Sequence, residues 1–263
     1  MSHTDLSVYL HLVGAFGAAF MAGAINSVAG GGTMVSFPLL MFLGLPPVIA
    51  NATNTCGIWP GAIGSIWGFR RELKNVPKAL RWFIVPALLG GAGGAFILKF
   101  TSENIFTHLV PWLLLFATVL FAIQTPVQKW LKSLQGVREV RSNRIALATI
   151  LQMLVGLYGG YFGAGMSIMM LSILAVIGMA DILEMSAMTS FLSLGINGIA
   201  GLIFALSGMV EWSYVGAMAV GAIAGGYGAA GMARKIGKTA VRKFVIFVGF
   251  SIAVLMFIRI SRG

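Results

Sequence analysis

Of the chain's 263 residues, 58% are apolar and only 10% are charged, and the mean hydropathy is +0.93. A soluble domain of that composition could not clothe its surface in polar groups, so the sequence predicts an all-α polytopic membrane protein. The net charge of +11 would suit nucleic acid, but no extramembrane domain is there to bind it, and nucleic-acid binding is excluded.

The N-terminus, Met1 to Asp5, has no basic stretch ahead of the first apolar run. That run is therefore expected to stay in the mature protein rather than be cleaved as a signal peptide. Val8 to Ala29 reads as a helix, interrupted by Gly30-Gly31-Gly32. Three successive glycines each cost a helix roughly 1 kcal/mol relative to alanine. Irregular backbone inside a bilayer is tolerated only where it lines a cavity or is buried in protein.

A short arm, Met34 to Leu43, follows and ends at Leu45-Pro46-Pro47. Ala50 to Phe69 is the next apolar segment, with Asn51, Thr53, Asn54 and Thr55 near its start. A basic loop, Arg70 to Arg81, leads to Trp82 to Leu98, whose run Gly90-Gly91-Ala92-Gly93-Gly94 permits close helix approach. Lys99 to Thr107 is a weakly charged connection, and His108 to Ile123 completes the first half before a long basic loop to Arg144.

From Ile145 the pattern begins again. A helix to Phe162 breaks at Gly163-Ala164-Gly165, and the arm Met166 to Ile177 follows. Met185 to Leu206 matches Ala50 to Phe69, with Gly195 and Gly198 standing where Gly61 and Gly64 stand. Trp212 to Met232 repeats the small-residue helix, and Phe244 to Ile260 repeats the last one. The chain is expected to be two structural repeats, 1–128 and 145–263, joined by a basic linker, 129–144.

Charge sets the orientation. Three clusters of five basic residues each lie at Arg70–Arg81, Lys129–Arg144 and Arg234–Lys243. The positive-inside rule places all three on the cytoplasmic face. That holds only if each broken segment leaves the membrane on the side it entered, either as a re-entrant hairpin or as two full crossings. The arms after the breaks, ten to twelve residues, favour the hairpin. Each repeat is then a glycine-broken hairpin plus three transmembrane helices, and the two repeats are inverted, as in many secondary transporters. The hairpins enter from opposite faces, so their tips are expected near the midplane.

The positive N-terminal end of a short arm, with its unpaired N–H groups, suits an anion. No Lys or Arg lies mid-segment to do the same work. The candidate substrate-binding residues are Asn26, Gly31, Gly32, Thr33, Asn51, Thr53 and Asn54 in the first half, and Gly165, Ser167, Thr189, Ser190 and Asn197 in the second. Hydroxyls and amides in membrane helices also bond neighbouring backbone, which is the structural alternative for each. Asp181 and Glu184 are candidate proton-relay carboxylates, with a solvated loop position as their alternative reading. No metal-ligand spacing, nucleophile–base pair or phosphate loop is present, so neither a cofactor nor an enzymatic activity is expected.

The run Ala22 to Gly32 with Pro38-Leu39-Leu40 behind it, and Gly44-Leu45-Pro46-Pro47 leading to Ala50 to Asn54, resembles the sulfite exporter TauE/SafE family. Gly156, Gly159, Gly160, Gly163 and Gly165 look like that family's second glycine signature, although Ala164 replaces a glycine and Met188 stands opposite Asn54. The resemblance implies transport of sulfur-containing anions such as sulfite, sulfoacetate or other organosulfonates. The expected protein is thus a multi-pass carrier of the bacterial inner membrane, working by alternating access, with the lipid bilayer and a small anion as its partners. An anion channel is the alternative, a membrane-embedded enzyme a weaker one, and assembly as a homo-oligomer stays open.

Overall fold

The computed structural model describes residues 3–28, 31–133, 142–179, 181–228 and 238–261. Ala29 and Gly30 of the first break, Arg138 and Arg141 of the second basic loop, and Arg234 and Lys235 of the third lie outside the described residues. Among the described residues the secondary structure is helical, without a strand. The helices are α1 (His3–Val28), α2 (Thr33–Phe42), α3 (Pro47–Gly68), α4 (Arg70–Asn75), α5 (Lys78–Arg81) and α6 (Ile84–Phe100). The second series is α7 (Glu103–Ser133), α8 (Ser142–Tyr161), α9 (Met166–Val176), α10 (Ile182–Leu206), α11 (Trp212–Gly228) and α12 (Lys238–Ser261). Four stretches, Tyr9–Asn26, Glu103–Val127, Ile182–Leu206 and Ala240–Ile260, are each long and apolar enough to cross a bilayer.

The two short arms stop in the same way. Leu45 N–H donates to Leu40 O and Gly44 N–H to Met41 O, while Gly44 takes φ +94°. Met179 N–H donates to Leu174 O and Gly178 N–H to Ala175 O, with Gly178 at φ +106°. This is the Schellman closure, in which a left-handed glycine satisfies the last carbonyls of a helix. Each arm is thereby ended by its own sequence, after about 15 Å of helix, half the hydrocarbon thickness.

Packing divides the helices into two compact units, each drawing on both halves of the sequence. The first comprises Met1–Gly61, Phe100–Val119 and Phe204–Gly263; the second comprises Ala62–Lys99 and Leu120–Ile203.

In the first unit α2 folds back along α1. A Cβ at Gly32 would lie 2.8 Å from Ala22 Cα, and one at Gly14 would lie 2.9 Å from Leu43 Cδ2. The numbers fall along one helix as they rise along the other, so the first broken segment is an antiparallel hairpin. On another face of α1, Gly221 and Gly225 of α11 back onto the carbonyls of Phe16 and Phe20. Here the numbers rise together, and α1 and α11 are parallel. Any side chain at Gly225 would enter the Phe20 backbone, so this glycine pair sets the interhelical distance. Trp112 of α7 and Phe257 of α12 meet edge to face, with ring centroids 4.9 Å apart.

The second unit repeats the device. Gly156 and Gly160 of α8 press on Ala87 and Gly91 of α6, while Gly90 and Gly94 press on Met153 and Leu157. These helices too are parallel. Around them Val76, Leu80, Phe83, Met170, Leu174, Met185, Met188, Leu192 and Ile196 form an apolar core.

Candidate functional site

At the tip of the first hairpin Gly31 takes φ +84°, a conformation that favours glycine. Gly32 N–H donates to Asn26 Oδ1 at 2.8 Å. Val35 and Ser36 N–H groups donate to Gly32 O, Met34 N–H donates to Gly31 O, and the buried Ser36 hydroxyl donates to Gly32 O at 3.2 Å. Several of the donors expected to face a ligand are therefore used inside the hairpin. Asn26 is exposed and serves as the acceptor that closes the turn, and Thr33, the first residue of α2, is half-buried. Gly32 is required by the Ala22 backbone behind it, whatever else approaches the tip.

Helix α3 carries the densest polar group. Asn51, Thr53 and Asn54 are at most 1% exposed. The helix starts here because Pro46-Pro47 pre-sets its first turn and Glu103 Oε2 accepts from Val48 N–H at 3.0 Å. Thr53 Oγ1 accepts from Glu211 N–H at 3.0 Å, tying α3 to the turn before α11. Thr55 Oγ1 donates to Asn51 O at 2.9 Å. Asn54 differs from its neighbours: both its Oδ1 and its Nδ2 are buried without a hydrogen-bond partner.

In the second unit Gly163 and Gly165 take φ +78° and +80°, and Tyr158 OH donates to Ala164 O at 2.7 Å across the tip. Asn197 Oδ1 lies 3.8 Å from where a Cβ on Gly163 would stand, so Asn197 adjoins this tip. Ser167 is exposed and Ser190 half-buried, whereas Thr189 is 5% exposed with a hydroxyl that makes no hydrogen bond. The positions matching Asn51, Thr53 and Asn54 are Met185, Ala187 and Met188, all buried. The polar patch of α3 thus has an apolar counterpart in α10. Asp181 is exposed and caps α10, its Oδ1 accepting from the N–H groups of Leu183 at 2.7 Å and Glu184 at 3.2 Å. Glu184, in the first turn of that helix, is half-buried.

Sequence reasoning passed over Tyr158 and Gln152. Gln152 is 1% exposed on α8 with its Nε2 unpartnered, and a lone amide in an apolar run was the available signal.

Membrane-length helices, two arms broken at glycines, and buried amides and hydroxyls in place of charges define a polytopic membrane transporter. The sulfite exporter TauE/SafE family model matches residues 15–256, and the chain belongs to that family. It is 29% identical over 254 residues to a Haemophilus influenzae protein named "Probable membrane transporter protein", covering 96% of this chain and 94% of that one. It is 30% identical over 121 residues to "Probable membrane transporter protein ORF9" of a Sinorhizobium species, 46% of each chain. Over 101 residues it is 30% identical to "Probable membrane transporter protein YfcA" of Escherichia coli K12, 38% of this chain and 37% of that one. No solved structure matches the chain. Family and relatives are named for transport, not for catalysis.

Proposed function

We propose that the chain is a secondary carrier of small sulfur-containing oxyanions, with sulfite, sulfoacetate and related organosulfonates as substrates, and that it works by alternating access between inverted repeats in the bacterial inner membrane. Asn54 carries this reading. Its amide is 1% exposed and unpartnered, and such a group costs about 1–3 kcal/mol unless something pairs with it. A ligand that binds and leaves supplies that partner intermittently. Residues 1–69 contain no Lys or Arg, so an anion there would be held by amide and hydroxyl donors and by the positive end of α2. Gly165, Ser167, Thr189, Ser190 and Asn197 are the corresponding set in the other unit.

The parallel run of α1 and α11 supports the inverted arrangement. Were one broken segment a hairpin and the other a single crossing, the chain would reverse its sense one time fewer between α1 and α11, and the two would be antiparallel. With both as hairpins, all three basic loops share the cytoplasmic side. The test is a thermal-shift screen of the purified protein against sulfite, sulfate, thiosulfate, sulfoacetate and taurine, with Asn54→Leu as control. Stabilisation by sulfite or sulfoacetate that is lost in the variant supports the reading; no stabilisation by either anion overturns it.

A further inference from the structure

The segment between α3 and α6 is not the loop that its charge suggests. Helices α4 and α5, with six and four residues, are too short to persist alone, and tertiary contacts hold them. Val76, Leu80 and Phe83 are 1%, 3% and 5% exposed, and Leu73 packs beside them on the apolar core of the second unit. Arg81 Nη2 donates to the carbonyls of Leu73, Lys74 and Val76 at 2.9, 3.1 and 3.3 Å. Its guanidinium closes the end of α4 and fixes the strap's shape.

The opposite side of the strap is basic and aromatic. Arg70, Arg71 and Lys74 are exposed, and Trp67 and Trp82, 69% and 73% exposed, stand at its two ends. Arg70 Nη1 donates to Trp67 O at 2.8 Å, and its guanidinium carbon lies 5.1 Å from the Trp67 ring centroid. The strap joins the end of the apolar helix α3 to the start of the apolar helix α6, which sets it at a bilayer surface. Indole rings collect at that level, and cations there meet lipid phosphates.

We propose that the strap lies in the headgroup layer and holds anionic phospholipid, with Arg70, Arg71 and Lys74 contacting the phosphate and Trp67 and Trp82 setting the depth. The patch sits on a backbone that Arg81 and the core contacts hold in place, so it is a binding surface as well as a topogenic charge. The inference is independent of the transported anion and of which face the strap occupies.

The experiment uses the whole protein in lipid nanodiscs carrying photo-activatable phosphatidylglycerol or photo-activatable phosphatidylcholine, with cross-links mapped by peptide mass spectrometry. Residues 67–82 should be labelled preferentially by the phosphatidylglycerol probe. The triple change Arg70→Gln, Arg71→Gln and Lys74→Gln should lower that labelling on the order of tenfold or more. Lys238→Gln with Lys243→Gln should leave it unchanged, and so should excess inorganic phosphate. Equal labelling by the two lipids in the unaltered protein overturns the proposal without recourse to any variant. Loss of labelling on adding phosphate would make this a site for free phosphate and overturn it as well.

Discussion

Gly32 donates its main-chain N–H to the side-chain oxygen of Asn26 at 2.8 Å, and its hydrogen-only face rests against Ala22. The two contacts close the first hairpin from both sides. Gly32→Val would drive a branched side chain into the Ala22 backbone, at a cost of typically 1–3 kcal/mol or more. Asn26→Ala would leave a main-chain donor unpaired, at about 1–3 kcal/mol. Both variants should melt several degrees below the parent, with Gly32→Val the lower. Unchanged melting of both would mean that the turn is held by something else.

Asn54→Leu should behave in the opposite way. The buried amide has no partner to lose, so an apolar side chain of similar size should leave melting unchanged or higher. Uptake into proteoliposomes should be abolished. A variant that fails to fold would show Asn54 to be a packing residue and remove it from the site.

Thr53 separates structure from function on the same helix. Its hydroxyl oxygen accepts from Glu211 N–H, so Thr53→Val should cost about 1 kcal/mol of stability. Anion affinity should change less than it does in Asn54→Leu. The reverse order, measured by melting and by ligand titration on both variants, would move the site from Asn54 to Thr53.

The polar residues of α3 stood out in the sequence because Asn51 to Thr55 interrupts an apolar run. What separates them, the Glu211 bond to Thr53 and the missing partner of Asn54, joins or fails to join residues far apart in the chain, and no local pattern carries it. The short arms were legible almost to the residue, since glycine marks both ends: Met34 to Leu43 was expected and Thr33–Phe42 is found. Helix α7 runs on to Ser133, past the expected end at Ile123 and through Pro126, because helix continues beyond the apolar part of the segment. The strap of α4 and α5 read as a loop because Arg81 and the core contacts hold it, not its own propensity. The glycine stripes were legible as permission for close approach; their partners, α11 for α1 and α8 for α6, were not.

Topology can be tested from the basic loops alone. Single cysteines at Ser133 and Lys238 in a Cys56→Ser background should both react with a membrane-impermeant reagent from the cytoplasmic side only. Modification of the two from opposite sides would remove the inverted repeat.

The sharpest test concerns charge on the ligand. A site made of amides, hydroxyls and the positive end of a helix offers donors and partial positive charge, and residues 1–69 bring no Lys or Arg to it. A compact oxyanion has acceptors on several sides and meets those donors from any direction. A zwitterion of the same size brings an ammonium that must face donors and a positive helix end, and so loses on desolvation what it gains at its sulfonate. Sulfite and sulfoacetate should therefore bind, and taurine should bind at least tenfold more weakly, a difference of about 1.4 kcal/mol. Lys99→Ala, an exposed position at the end of α6, should leave sulfoacetate affinity within about threefold, or under 1 kcal/mol. Calorimetric titration of the parent and the Lys99 variant gives both numbers. Equal affinity for taurine and sulfoacetate would mean that the ligand's ammonium does not face the donors and the positive helix end, and a large loss in Lys99→Ala would mean that a charged side chain holds the anion.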